Sequence, residues 1–311
     1  MDLRIFIEAQ QGATYDQQLA IARAAETGGF DAFFRSDHFL AIGGAPRPPG
    51  PTDSWVTLAG LARETSRVRL GTLVSSATFR HPGPLAVAVA EVDAMSGGRV
   101  ELGLGAGWYE GEHRAYGVPF PPLRERFERL EEQLEIIHGV WRTPEGESFT
   151  FEGRHYAVES SPGLPKPVQR PHPPIILGGH GPRRTPDLTA RFADEFNAPP
   201  FSTVEQLGAM RDRVRAACDR VGRDPGTLKF SAAVAVCCGR DDGELERRAE
   251  RIGMSAGDAR ERVAGGRPEE VAEKLAAWQK AGADRVYLQL IDPTDAEHVE
   301  LLGAEVLPAF R

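Results

Sequence analysis

The run Arg99-Val100-Glu101-Leu102-Gly103-Leu104-Gly105-Ala106-Gly107-Trp108 decides which α/β architecture this chain adopts. An apolar strand ending in glycines is where a doubly wound sheet binds its nucleotide. The dinucleotide fingerprint, however, needs glycine at its sixth position, and Trp108 stands there. The run is also not an opening strand. Working outward from it, β-rich runs at 3–8, 31–36, 68–74, 100–104, 175–177, 195–198, 228–237 and 285–290 alternate with helical segments. The helices are expected at 15–27, 54–65, 84–95, 125–141, 184–193, 204–221, 244–252 with 268–281, and from 296 onward. Strands separated by helices pair in parallel through right-handed crossovers. Eight units in series predict a closed (β/α)8 barrel, because an open sheet normally stops at about five or six strands and reverses its order. Residues 143–174, the longest irregular stretch, carry an expected hairpin at 148–158 and a proline-dense run. An insertion of that length reads as a lid or rim element, so residues 1–311 are expected to form one barrel domain.

Composition narrows the function. With 37 Lys and Arg against 45 Asp and Glu, the net charge is −8. That leaves no basic footprint for nucleic acid, whose binding proteins concentrate positive charge. No apolar run approaches the length of a membrane helix, and Asp2 and Arg4 put charge where a signal peptide would be apolar, so a cytoplasmic protein without membrane contact is expected. The three cysteines, Cys218, Cys237 and Cys238, lack Cys-x-x-Cys spacing and read as buried thiols. The eight histidines form no metal-binding pair, so no metal site is expected.

In a barrel the active site lies at the carboxyl ends of the strands, which directs attention to the turns. After the second strand come Asp37 and His38, an acid beside the side chain best suited to proton transfer near neutral pH. After the third come Ser75, Ser76, Ala77, Thr78, Phe79 and Arg80, small residues that let a ligand approach the backbone. After the fourth, Gly107 opens a turn into 108–122, a stretch expected to be a loop. The acidic-x-Gly-x-Gly-x-Gly pattern there also resembles the first motif of adenosylmethionine-dependent methyltransferases, but that motif ends a domain's first strand, and this one follows three βα units. After the fifth strand, Gly178, Gly179, His180 and Gly181 lead through Arg183 and Arg184 into a helix. Glycines ahead of a helix N-terminus form an anion site, to which Asn197, after the sixth strand, is placed to add a donor.

Taken in order, Asp37-His38, the Gly-Thr-x-Val-Ser-Ser-Ala-Thr-Phe-Arg run ending at Arg80, the Arg99 to Trp108 stretch, Pro174-Ile-Ile-Leu-Gly-Gly and Ala193-Asp-Glu-Phe-Asn197 resemble the bacterial luciferase-like superfamily. They look most like its deazaflavin-dependent oxidoreductase branch, which uses coenzyme F420. The resemblance implies a barrel holding the deazaflavin ring against strands two to four and its phosphate near strand five. It places His38 beside the reactive face, Asp37 next to it in the cofactor site, and Val74, Ser75 and Ser76 along the ring. Gly178 to Gly181, Arg183 and Arg184 would hold the phosphate-bearing tail, with Lys166 and Arg170 extending the positive charge outward. It also implies a non-prolyl cis peptide between Leu73 and Val74, and a homodimer acting on a small molecule. Family members that oxidise glucose 6-phosphate have a Trp four residues after the His and a catalytic Glu after the glycine turn; here Ile42 and Trp108 occupy those positions. Glu110 and Glu112 are the nearest acids left, and Glu112 joins His38 as a candidate for proton transfer.

The leading expectation is therefore a hydride-transferring oxidoreductase using coenzyme F420. The alternatives are a reduced-FMN monooxygenase of the same superfamily and a flavin-binding protein without catalysis. The retained Asp37-His38 pair argues against the last.

Overall fold

The computed structural model describes residues 1–43 and 48–311. The eight expected barrel strands are present: β1 (Asp2–Ile7), β2 (Ala32–Arg35), β3 (Arg69–Thr72), β4 (Val100–Gly105), β5 (Ile175–Gly178), β6 (Glu195–Ala198), β7 (Lys229–Cys238) and β8 (Arg285–Leu290). Every neighbour pair is parallel, and β8 returns to β1 with Asp2 opposite Arg285 and Ile7 opposite Leu290, so the barrel closes. Local signals set the helix ends. Thr14 and Gln17 form a reciprocal capping box on Tyr15–Gly28, and Asp53 accepts the first free N–H groups of Ser54–Glu64.

Three expectations need correction in detail. The third strand stops at Thr72 and pairing resumes only at Ser75–Ser76, with a cis Leu73–Val74 peptide between them, as the resemblance implied. The hairpin runs from Phe149–Glu152 to Ala157–Ser161, reaching beyond 158. The stretch 108–122 is not all loop, since Glu110–Ala115 is helical. A helix at Ala256–Arg262 and a short strand at Ala264–Gly266 beside β7 went unread, because the segment is too polar and too short to show periodicity.

Alternation along the strands builds the barrel interior in layers. The lowest layer is charged. Arg4, sealed from water, donates from Nη1 to Glu101 Oε2 at 2.6 Å and to the Tyr287 hydroxyl at 3.0 Å. Tyr287 donates onward to Glu195 at 2.9 Å, Arg285 reaches the same carboxylate at 2.5 Å, and Arg69 bonds Glu101 from the side. Burial alone would raise the Glu101 carboxyl, but Arg4 and Arg69 hold it well below the usual carboxylate range. Above this layer Phe6, Phe34, Leu73 and Ile176 pack across the axis. Gly103 makes that closure possible: a Cβ there would lie 2.0 Å from the Thr72 carbonyl oxygen and 2.8 Å from Val74. The glycines and acid of the 101–107 run thus serve the barrel interior, with Glu101 neutralising Arg4.

Glu101→Gln should destabilise the protein by about 3–5 kcal/mol, because it removes the buried carboxylate bonded to Arg4 and leaves that guanidinium only the half-exposed Asp31, at 2.6 Å, as a directly bonded counter-charge. Replacing both partners, as Arg4→Met with Glu101→Leu, should recover much of the loss. Urea unfolding at pH 7 measures both; a single mutant that unfolds at the parental midpoint would show that the pair contributes nothing.

Candidate active site

At the carboxyl end of the barrel lies a cavity of about 1340 Å3 whose lining includes residues from the ends of seven barrel strands or the turns after them, while the β7 side contributes Arg251, Ile252, Gly253 and Met254 from the far end of the helix that follows that strand. Among the expected site residues, His38, Val74, Ser75, Ser76, Gly107, Glu112, Gly178, Gly179, His180, Gly181 and Asn197 line it. Asp37, Arg183 and Arg184 do not.

His38 follows β2 and meets Glu112, which the short helix Glu110–Ala115 carries inward and buries. The imidazole Nδ1 lies 3.0 and 3.1 Å from the two carboxylate oxygens, and the Phe39 backbone N–H donates to Oε2 at 2.9 Å. A carboxylate can only accept, so Nδ1 carries a proton and Nε2 is the nitrogen left for chemistry. Burial pulls the His38 pKa down, but the hydrogen bond and charge of Glu112 outweigh it and leave the group raised above its ordinary value. The expectation that Glu112 lies in a loop is thereby corrected. Glu110, on the same short helix, is exposed and pairs with Arg114.

Asp37 was expected against the cofactor and lies behind the wall instead. Arg80 grips its carboxylate twice, at 3.0 and 2.7 Å, and the Ser75 hydroxyl donates to it at 2.7 Å. Arg80 also reaches Asp53 at 2.9 Å, which ties the ends of β2 and β3 to the start of Ser54–Glu64. With its oxygens engaged, Asp37 acts on the cavity through Ser75.

Ser76 has its hydrogen-bonding direction set from behind. His113 Nδ1 lies 2.8 Å from the Tyr109 carbonyl oxygen, which can only accept, so in the neutral ring Nε2 accepts from the Thr78 hydroxyl at 2.6 Å. Thr78 then accepts from Ser76, also at 2.6 Å, while the Thr78 backbone N–H donates to the Ser76 hydroxyl at 3.4 Å, so one lone pair of Ser76 is left to face the cavity. No signal in the sequence marked His113, which is fully buried and separated from Ser76 in the chain.

On the opposite wall, Gly178 to Gly181 lead into the helix Arg184–Phe192, with Thr185 also lining the cavity. Side-chain-free backbone ahead of free helical N–H groups suits an anion. The expected arginines do not contribute to the lining. Arg183 is exposed, and Arg184 donates to the Arg124 carbonyl at 2.9 Å and lies over the Phe127 ring. Lys166 and Arg170 are bonded to backbone carbonyls at Val140 and Pro167. Gly178, Gly179 and Gly181, lining a cavity larger than the roughly 300–1,000 Å3 common for one small ligand, fit a flat ring with a phosphate tail plus a second molecule.

The cysteines are buried and free, and burial pushes the Cys237 and Cys238 thiols up to about 11 and 12, which makes them unreactive. Among the described residues no group of acidic, His or Cys side chains could hold a metal, and no helix is long and apolar enough to cross a membrane.

Comparison with known proteins agrees with this geometry. A family model for luciferase-like monooxygenases matches residues 1–265. An F420-dependent glucose-6-phosphate dehydrogenase of Nakamurella multipartita is 31% identical over 94% of this chain and 91% of its own. An FMNH(2)-dependent dimethylsulfone monooxygenase of Pseudomonas putida is 30% identical over 68% of this chain and 55% of its own. Among solved structures, an F420-dependent secondary alcohol dehydrogenase in complex with an F420-acetone adduct superposes with a TM-score of 0.84, at 18% identity, over 100% of this chain and 99% of its own. The chain belongs to the luciferase-like monooxygenase family, in which a relative matching it over nearly its full length is an F420-dependent dehydrogenase.

Proposed function

We propose that this luciferase-like oxidoreductase transfers a hydride between coenzyme F420 and a small organic substrate, with His38 moving the accompanying proton. The observation that carries this reading is the His38–Glu112 pair, which turns one imidazole nitrogen to the carboxylate and leaves Nε2 in a cavity with glycine-rich walls. Bound F420 supplies the ring carbon that gives or takes the hydride. Val74, Ser75, Ser76 and Gly107 would line that ring, and Gly178, Gly179, His180, Gly181 and Thr185 would hold the phosphate. Asn197, whose amide donates to Ser231 at 2.8 Å, completes that wall.

Hydride delivery to a substrate carbon requires a proton at the neighbouring heteroatom, and hydride removal requires that this proton be taken away. His38 Nε2 performs either task, while Glu112 balances the charge on the ring and holds its orientation. Ile42 and Trp108, both in the lining, stand where family members that oxidise glucose 6-phosphate carry a Trp and a Glu, which argues for a different substrate.

Three outcomes follow. Quenching of F420 fluorescence should show F420 bound more tightly than FMN; tighter FMN binding at low salt would assign the monooxygenase chemistry instead. With any substrate that F420-loaded protein turns over, His38→Ala should lower kcat by about 10² or more at saturating cofactor, and unchanged kcat would remove His38 from the mechanism. Because Glu112 favours the charged imidazole, Glu112→Gln should lower the His38 pKa. Histidine ring resonances followed by NMR across pH 5–9 test the sign, and an unmoved or higher titration midpoint would contradict the pairing.

A further inference from the structure

The ends of β1 and β8 carry a second set of polar groups that the His38–Glu112 pair does not use. Inward positions alternate Arg4, Phe6, Glu8 along one strand and its extension, and Arg285, Tyr287, Gln289 along the other. Phe6 stands opposite Gln289, and Glu8 and Gln289 both line the cavity. The Glu8 carboxylate accepts from Gln289 Nε2 at 3.0 Å and from Gln10 Nε2 at 2.5 Å. Because a carboxylate cannot donate, it forces both amides to present nitrogen to it. The oxygen of Gln10 is then taken by the Ser36 hydroxyl. The oxygen of Gln289 has no partner, although only 6% of the residue is exposed. A buried acceptor left open in this way is costly unless something donates to it.

Charge points the same way. Three carboxylates line the cavity. Glu112 faces His38 and Asp292 is paired with Arg251, whereas Glu8 has only amide partners among the described residues. Among the described residues this corner therefore holds a carboxylate with no directly bonded cation, near enough to His38 to favour its charged form, and an open acceptor. Its surroundings are apolar: Ile42, whose carbonyl accepts from Gln11 at 2.9 Å, and Ile291, two residues beyond Gln289, also line the cavity.

We infer that Glu8 and Gln289 are the recognition pole for the substrate, and that the substrate is an uncharged or cationic molecule with an apolar body and an O–H or N–H donor. An anion of the same shape would meet a carboxylate and an acceptor with no donor to offer either. This inference rests on the cofactor reading above, which gives the β2 to β5 side of the cavity to F420 and leaves the β8 to β1 side for the second molecule.

The test uses three ligands of one size, benzylamine, benzyl alcohol and benzoate, titrated calorimetrically into the F420-loaded protein at pH 7. Benzylamine should bind at least about tenfold more tightly than benzoate, with benzyl alcohol between them. The near-isosteric Glu8→Gln should bring benzylamine and benzoate close to parity while leaving F420 titration at the parental value. Benzoate binding as well as benzylamine to the parent, or a preference that survives in Glu8→Gln, would overturn the inference. If Glu8→Gln does not fold, Gln289→Leu replaces it, with loss of benzyl alcohol binding expected and retention overturning the inference. Failure of the parent to bind F420 would defeat the cofactor reading alone, and the ligand ranking would then be read on cofactor-free protein.

Discussion

The structure depends on neutralising one charge. Arg4 sits on the axis of a closed barrel with no access to water, and a guanidinium there is tolerable only if fixed counter-charges surround it. Glu101 from β4 supplies a buried direct partner and Asp31, just before β2, a half-exposed one at 2.6 Å, while Tyr287 from β8 links Arg4 to Glu195 from β6. Residues from four strands are drawn to one level, and the aromatic layer rests on it. Because side chains alternate with a period of two, fixing this level also fixes which residues emerge at the upper rim. Glu8 and Gln289 are inward there for the same reason that Arg4 and Tyr287 are inward at the floor.

At the rim, positioning and ligand contact fall to different residues that are adjacent in sequence. Asp37 and His38 are neighbours, yet Asp37 turns into the wall to join Arg80 and Ser75, and His38 turns into the cavity to face Glu112. Thr78 and His113 likewise act from behind, leaving Ser76 as an acceptor toward the cavity. Ser75 and Ser76 thus have their hydrogen-bonding direction settled by Asp37 and Thr78, which lie outside the cavity lining, an arrangement that suits precise chemistry.

Much of this was legible in the residues. Periodicity located the eight strands, and barrel topology then brought the turns carrying His38, Ser76, Gly107 and Gly178 to one end. The motif match added the cis peptide at Leu73 and Val74. What misled was local charge. Arg183 and Arg184 beside a glycine turn look like phosphate ligands in a linear reading, but Phe127 and the Arg124 carbonyl hold Arg184 away from the cavity lining. Glu110 and Glu112 both stand near the site in the sequence, and only the inward face of a six-residue helix distinguishes Glu112 from Glu110.

The sequence alone determined the order and spacing of strands, helices and turns, because hydrophobic period and capping are local properties of the chain. Tertiary structure decided which side chains meet. His38 and Glu112 are 74 residues apart, Asp37 and Arg80 are 43 apart, and Glu8 and Gln289 are 281 apart. Nothing in a local pattern states that a donor and an acceptor so distant will share a proton. That follows from barrel closure, which sets the register of β8 on β1 and leaves each polar group one geometry in which it is satisfied, or, for Gln289 Oε1, not satisfied.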